Sequence, residues 1–138
     1  MSTREEIVTD FYGKYDEETR LERSRKGQLE YFTTMEYIHR YAGKGTKVLE
    51  VGAGTGRYSV ALAKEGMDVT AVELTVSNLD ILRRNAEGLT NLTSYQGDAL
   101  RLDMLADDEF DVTLVFGPMY HLFEGEDVDR AIDEAIRV

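Results

Sequence analysis

The apolar residues of this chain change rhythm once, and the change divides it. Over roughly residues 4–42 they recur at helical spacing. Ile7, Phe11 and Tyr15 stand four apart, with Val8 and Tyr12 beside them. This predicts a first helix, which Gly13 weakens. Asp16 is placed to cap a second helix. There Tyr31, Met35, Ile38 and Ala42 fall at i, i+4, i+7 and i+11 on one face, with Leu21 and Leu29 nearby. Gly43 is a natural stop, and Gly43-Lys44-Gly45 reads as a linker. The aromatic residues of this half (Phe11, Tyr12, Tyr15, Tyr31, Phe32, Tyr37, Tyr41) read mainly as packing.

From Lys47 onward short apolar runs alternate with helical patterns. Strands are expected at roughly 47–51, 68–72, 92–96 and 110–115, and helices at roughly 57–65, 76–87 and 127–137. Gly66 would end the first of these helices, and Thr75 or Ser77 would cap the second. Val112 to Phe116 is apolar apart from Thr113, as expected of a buried strand. Such alternation predicts an α/β fold, a doubly wound parallel sheet built from right-handed βαβ units. About four strands are visible, so the sheet is expected to be partial. Residues 1–43 would form a helical cap and 44–138 the sheet domain.

Val128, Ala131, Ile132, Ala135 and Ile136 make a clean final helical face, after which the sequence stops at Val138. A crossover helix ordinarily leads into another parallel strand, so the chain is expected to be a fragment of a longer protein. A natural terminal helix that frays is the alternative.

Composition adds exclusions. There is no cysteine, which removes disulfides and thiolate metal sites. The two histidines are distant and the carboxylates scattered, so no metal is expected. The net charge of −11 argues against a nucleic-acid partner, since such binding rests on phosphate neutralisation. Arg20, Arg23, Arg25 and Lys26 form the most basic stretch, but Glu17, Glu18 and Glu22 interleave with it, and it reads as a solvated helix face. No run is apolar enough to span a membrane and the polar start lacks a signal segment, so a cytoplasmic location is expected.

The chemistry gathers at strand ends. Val48-Leu49-Glu50-Val51-Gly52-Ala53-Gly54-Thr55-Gly56 reads as strand, acidic residue and glycine turn, with a helix following at once. Glu73 ends the second strand and Asp98 follows the third. In an open α/β sheet ligands bind outside the carboxyl ends of the strands, so the three groups would line one crevice. The glycines admit backbone close to a ligand. Glu73, about twenty residues past the turn, can accept ribose hydroxyls. Asp98 can accept from an exocyclic amine. Taken singly, Glu73 and Asp98 would pass for solvated carboxylates; their joint spacing describes an adenosine-like ligand. The Gly-x-Gly-x-Gly pattern differs from the Gly-x-Gly-x-x-Gly of dinucleotide sites and from the phosphate-binding P-loop. The acid before it suits a ligand carrying positive charge.

These motifs resemble the class I S-adenosylmethionine-dependent methyltransferases. Val48 to Gly56 resembles their motif I, Glu73 the acid ending their second strand, Gly97-Asp98-Ala99 their third-strand motif and Phe110 to Phe116 their fourth strand. Gly117-Pro118-Met119-Tyr120-His121-Leu122 resembles a Gly-Pro-Leu-Tyr-His-Leu segment of an uncharacterised bacterial branch, and Ala135 to Val138 the run before a Lys-Pro-Gly-Gly turn that is missing here. The resemblance covers residues 47–138 well and implies a Rossmann-like fold with S-adenosylmethionine as cofactor. It implies that Gly52, Ala53, Gly54 and Gly56 contact the cofactor's amino-acid portion with Glu50 in support. Glu73, beside Leu74, would hold the ribose; Asp98, with Gly97 and Ala99, would hold the adenine; Phe116 and Gly117 would flank the methionine part. Tyr15, with Tyr12, would close from the cap.

The implied reaction displaces the sulfonium methyl toward a nucleophile of a small-molecule acceptor, and the protein aligns the pair and excludes water. Tyr120 and His121 are the candidates for a general base; local packing is the alternative for His121, and His39 reads as structural. Phe116-Gly117-Pro118-Met119 lacks the acid or amide of the Asp/Asn-Pro-Pro-Tyr motif, which argues against a nucleic-acid adenine acceptor. Two further readings stay open. One is a non-catalytic adenosyl-binding or assembly module, with homodimers forming through an exposed fourth-strand edge. The other is an NAD-dependent oxidoreductase, disfavoured by the glycine spacing.

Overall fold

The computed structural model describes residues 3–14 and 24–138, the side chains of Tyr12 and Lys14 excepted. Tyr15, Asp16, Leu21 and the Arg20 and Arg23 of the basic stretch lie outside the described residues. In chain order the elements are α1 (Arg4–Lys14), α2 (Arg25–His39), β1 (Lys47–Val51), α3 (Arg57–Lys64), β2 (Asp68–Glu73), α4 (Val76–Asn85), β3 (Leu92–Gln96), β4 (Val112–Val115), a 3-10 turn (Gly117–His121) and α5 (Gly125–Arg137). The four strands are parallel in the order β3-β2-β1-β4. This is the expected α/β sheet, with the strand–helix alternation intact.

The alternating pleat sorts β1 between two cores. Val48 faces one side with Val69 and Leu114, against Met35, Ile38 and Ala42 of the α2 segment and Tyr58, Leu62 and Ala63 of α3. Leu49 and Val51 face the other side with Val72, against Leu102, Leu105 and Ala131 of α5. Leu49, Leu62, Leu82 and Leu102 are fully buried, and each contributes roughly 1.5–3 kcal/mol through burial.

Several expectations shift. β4 is shorter than expected and only Leu114 in it is buried, because among the described residues β4 pairs with β1 along one edge alone. The predicted α1 face is rotated: Ile7 and Phe11 are about half exposed while Val8 is buried. Arg4 and Val8 form the inward side, spaced i and i+4, and the arginine hides it from a hydrophobic reading. On α2 the stripe through Met35 and Ile38 is buried, as expected, but Leu29, Phe32 and Tyr37, with Tyr41 just beyond the helix, are exposed rather than packed. The helix cap at Arg25 is Ser24, whose hydroxyl oxygen accepts from Gly27 N–H at 3.0 Å.

One polar network ties α5 to the loop before β4. Arg137 donates to Leu105 O at 3.1 Å and Leu102 O at 3.0 Å and pairs with Glu134 and Asp107. Glu134 also accepts from Leu102 N–H at 2.7 Å. The Arg137 hydrogen bond, with the Leu102 N–H in support and against the pull of burial, holds the Glu134 carboxyl down to about 2. Its stabilisation is therefore complete above the ordinary value of 4.5 and is lost as pH falls toward 2. Glu134→Gln should cost about 1–2 kcal/mol at neutral pH and nothing near pH 2, read from urea midpoints across that range.

Candidate functional site

The order in which strands are added reverses between β1 and β4, and a cleft opens there at the carboxyl ends of the strands. It holds about 900 Å³, the solvent space at its mouth included. Its floor is the turn after β1. Gly52 and Ala53 donate to Val72 O at 2.8 and 3.1 Å, and Gly56 N–H closes the turn on Ala53 O at 3.0 Å. Three of the turn's residues, Gly52, Gly54 and Gly56, have positive φ.

Glu73 is the clamp of this turn. It is buried, and its Oε2 accepts from Gly54 N–H at 2.7 Å. Its Oε1 accepts from Thr75 N–H at 2.9 Å and Thr75 Oγ1 at 3.0 Å. Thr75 stands at the N-cap of α4 yet makes no side-chain cap bond, because its hydroxyl is turned to Glu73. A carboxylate offers about four acceptor sites, so three donors from the protein leave room for a ligand hydroxyl.

Glu50 lies deeper. It is 3% exposed, and Ser59 of α3 donates both its hydroxyl and its N–H to it. Burial pushes its carboxyl up to about 7, opposed by the two Ser59 donors and reinforced by the neighbouring Glu73 charge. Asp98 completes the acidic set. Its Oδ1 accepts from Leu100 N–H at 3.1 Å, and its Oδ2 takes the guanidinium of Arg4 from α1.

The opposite wall comes from β4 and the 3-10 turn, through Phe116, Gly117, Pro118 and His121. Burial lowers the His121 pKa, with Arg4 lowering it further and Glu73 opposing, so the imidazole is neutral at pH 7. Phe11 of α1 stands 6.2 Å from the His121 ring, centroid to centroid. At the mouth, Arg57 lies over the Tyr31 ring at 4.6 Å, Tyr31 stacks on Tyr58 at 5.3 Å, and Tyr58 meets Phe116 edge-on at 5.7 Å.

The fold thus brings together Glu50, Gly52, Ala53, Gly54, Glu73 and Leu74 with Gly97, Asp98, Ala99, Phe116, Gly117 and His121. Gly56 stays outside the lining, since its role is to start α3 in a left-handed conformation against Leu82. Tyr120, expected beside His121, is 83% exposed and points away, because the turn's tight spacing sends neighbouring side chains in different directions. Tyr15 lies outside the described residues. Arg4, Val8, Thr55, Arg57, Tyr58, Asn78 and Pro118 also line the cleft, none of them an expected site residue. For Arg4 and Val8 the only signal was their i, i+4 relation, and for Pro118 its place directly after the fourth strand.

Chemically the cleft offers carboxylates from three strand ends, apolar panels from Val8, Leu74, Ala99 and Phe116, and a neutral imidazole. That set suits a ligand with hydroxyl and amine donors, a flat ring and positive charge. It suits a pyrophosphate poorly, since the Gly54 N–H of the turn is already taken by Glu73 and a second acid, Glu50, lines the same cleft.

Known proteins give the same picture. The profile of a family described as "Methyltransferase domain" matches residues 48–138. A ubiquinone biosynthesis O-methyltransferase of Actinobacillus pleuropneumoniae is 45% identical over 60 residues, covering 41% of this chain and 26% of that protein. An uncharacterized protein of Mycobacterium tuberculosis is 36% identical over 99 residues, covering 70% of this chain and 34% of that one. Among solved structures, phosphoethanolamine N-methyltransferase 1 of Haemonchus contortus, in complex with phosphoethanolamine and S-adenosylhomocysteine, superposes with a TM-score of 0.79. It is 21% identical, over 99% of this chain and 30% of that one, and the likeness is one of fold. The chain spans roughly a quarter to a third of the length of these relatives.

Proposed function

Because the chain belongs to the methyltransferase-domain family, we propose that it is the cofactor-binding part of an S-adenosylmethionine-dependent methyltransferase with a small-molecule acceptor. The observation that carries this is the convergence of Glu50, Glu73 and Asp98 from three strand ends on one cleft floored by a glycine turn. Glu73 would take the ribose hydroxyls while keeping the turn in place. Asp98 would accept from the adenine amine, with Ala99 and Leu74 against the ring, and Gly97 leaves space there. Glu50 and the turn residues Gly52, Ala53 and Gly54 would hold the amino-acid portion, and Phe116 and Gly117 would flank it. Helix α1 would act as a cap, through Arg4 and Val8.

The cofactor supplies, when bound, an electrophilic methyl group on a sulfonium. What the protein adds is alignment, exclusion of water and a place for the acceptor's proton. His121 fits the last role because its imidazole is neutral and lines the cleft. The likeness to a ubiquinone biosynthesis O-methyltransferase supports an oxygen acceptor. A cytoplasmic location, the lack of a nucleic-acid partner and pairing of two copies through the outer edge of β4 belong to the same reading. No helix among the described residues is long and apolar enough to cross a membrane. The pairing is tested by sedimentation equilibrium.

The deciding experiment is calorimetric titration with S-adenosylmethionine, S-adenosylhomocysteine and NAD. Binding of the first two and not the third is expected; binding of NAD alone would overturn the reading. In the full-length protein, His121→Ala should leave cofactor affinity unchanged and lower turnover about 10²–10⁴-fold. Tight cofactor binding without turnover over oxygen, amine and carbon acceptors would favour the second reading, a non-catalytic adenosyl-binding module.

A further inference from the structure

We infer that Glu50 enters the cofactor complex by giving up a proton to solvent, and that Ser59 is the positioning residue that sets how readily it does so. The inference rests on the proposed binding of S-adenosylmethionine in this cleft.

Geometry leads to it. Glu50 sits on the interior strand β1, flanked by β2 and β4 and one residue short of the strand's end. Its strand neighbours across the ladder are Ala71 and Leu114, and neither offers it a polar group. Among the described residues its donors come from Ser59, in the first turn of α3 and itself fully buried. An acid held this way is a poor place for a lone negative charge, and burial accordingly raises it to about 7. The charged groups that face the same cavity are Glu73 at the end of β2, Asp98 after β3, Arg4 on α1 and Arg57 on α3, with His121 from the 3-10 turn. Glu73 opposes ionisation of Glu50. Arg4 is committed to Asp98, and Arg57 lies over Tyr31.

A ligand bearing an ammonium group reverses this balance. Its charge, brought next to the buried Glu50, stabilises the carboxylate and expels the proton. Free protein then holds the proton more tightly than the complex does. Two pH dependences of opposite sign follow. The free protein loses stability as pH rises from 4.5 through about 7, because the folded state binds the proton more tightly than the unfolded chain does. Cofactor affinity rises over that same interval and levels off above it.

Ser59 governs the position of this interval. Its hydroxyl and N–H both favour the ionised acid. Ser59→Ala removes the first donor and keeps the second, so ionisation becomes harder and the affinity profile moves to higher pH. A residue that merely supported the fold would weaken binding equally at every pH.

The test is calorimetric titration of the chain with S-adenosylhomocysteine between about pH 5.5 and 9, in buffers of differing ionisation enthalpy. For the wild type, affinity should fall roughly 25-fold from about pH 7.5 to 5.5, with close to one proton released per ligand at the lower end. Glu50→Gln should release none and show a flat profile. Ser59→Ala should bind roughly tenfold more weakly at about pH 5.5, roughly threefold at 7.5, and converge with wild type near pH 9. The wild-type proton count needs no variant to fold. Binding with a flat profile and no proton release overturns the inference and leaves the cofactor assignment standing. Failure of S-adenosylhomocysteine to bind at any pH overturns the assignment, and the inference with it.

Discussion

Gly52→Ala should abolish measurable cofactor binding and destabilise the protein by about 2–4 kcal/mol. Two independent costs meet at this residue. Its φ of +76° lies in the left-handed region, where an L side chain meets the following carbonyl oxygen. A Cβ there would also stand 2.4 Å from Cδ and 2.5 Å from Cγ of Pro118. Proline cannot rotate its ring away, so the 3-10 turn as a whole would have to retreat. That turn carries Gly117 and His121, so the glycine floor and the opposite wall of the cleft would separate together. Affinity for S-adenosylhomocysteine should fall more than about 100-fold, and the urea midpoint should drop. Gly13→Ala is the control. Nothing lies within 4 Å of its would-be Cβ on α1, and the substitution should stabilise that helix by about 0.5–1 kcal/mol. If Gly52→Ala behaved like Gly13→Ala, the packing of the turn against Pro118 would not matter to the site.

Glu73→Gln should show the second large effect, divided between fold and ligand. The amide can still accept from Thr75 through its oxygen, but its NH2 would then face Gly54 N–H, donor against donor. A buried donor left without an acceptor costs about 1–3 kcal/mol. Loss of the proposed ribose contact adds to the loss of affinity, so binding should weaken by about 10²–10³-fold. A 2′-deoxyribose analogue of S-adenosylhomocysteine separates the two contributions. It should bind the wild type much more weakly than the parent compound does, and bind Glu73→Gln about as well as the parent does. An equal penalty for the analogue in both proteins would mean that Glu73 serves the turn alone.

The strands and the floor of the cleft could be read from sequence because their signals are local. A glycine at φ above zero, an acid ending an apolar run, and the switch from helical spacing to strand–helix alternation each sit within a few residues. The rest of the site depends on contacts between distant elements. Arg4 meets Asp98 across 94 residues, and no periodicity marks a charged residue as the inward side of a helix. Tyr120 and His121 adjoin in sequence, yet a 3-10 turn aims one at solvent and the other at the cleft. Thr75 carried a cap signal that was spent elsewhere, because a buried carboxylate is a stronger partner for a hydroxyl than a helix terminus open to water. The apolar residues of β4 suggested full burial, but burial depends on what lies on both sides of a strand, and among the described residues β4 has β1 on one side and no strand on the other.

The strand order β3-β2-β1-β4 also carries a consequence for how the chain becomes ordered. The first strand made is the central one, and each of the next two is laid beside its immediate predecessor by a short right-handed crossover. Those pairings close small loops, so they form early and fast relative to contacts of longer range. Only β4 must travel back across the sheet, pairing Val48 with Val112 over 64 residues. The cleft lies on that last seam. Its floor, the Glu73 clamp and Asp98 therefore belong to the fast-forming part, and the wall bearing His121 to the slow one. A stopped-flow refolding experiment should find the glycine turn protected from hydrogen exchange before the 3-10 turn is, so that the cofactor's half of the cleft exists in outline before the half that closes on it.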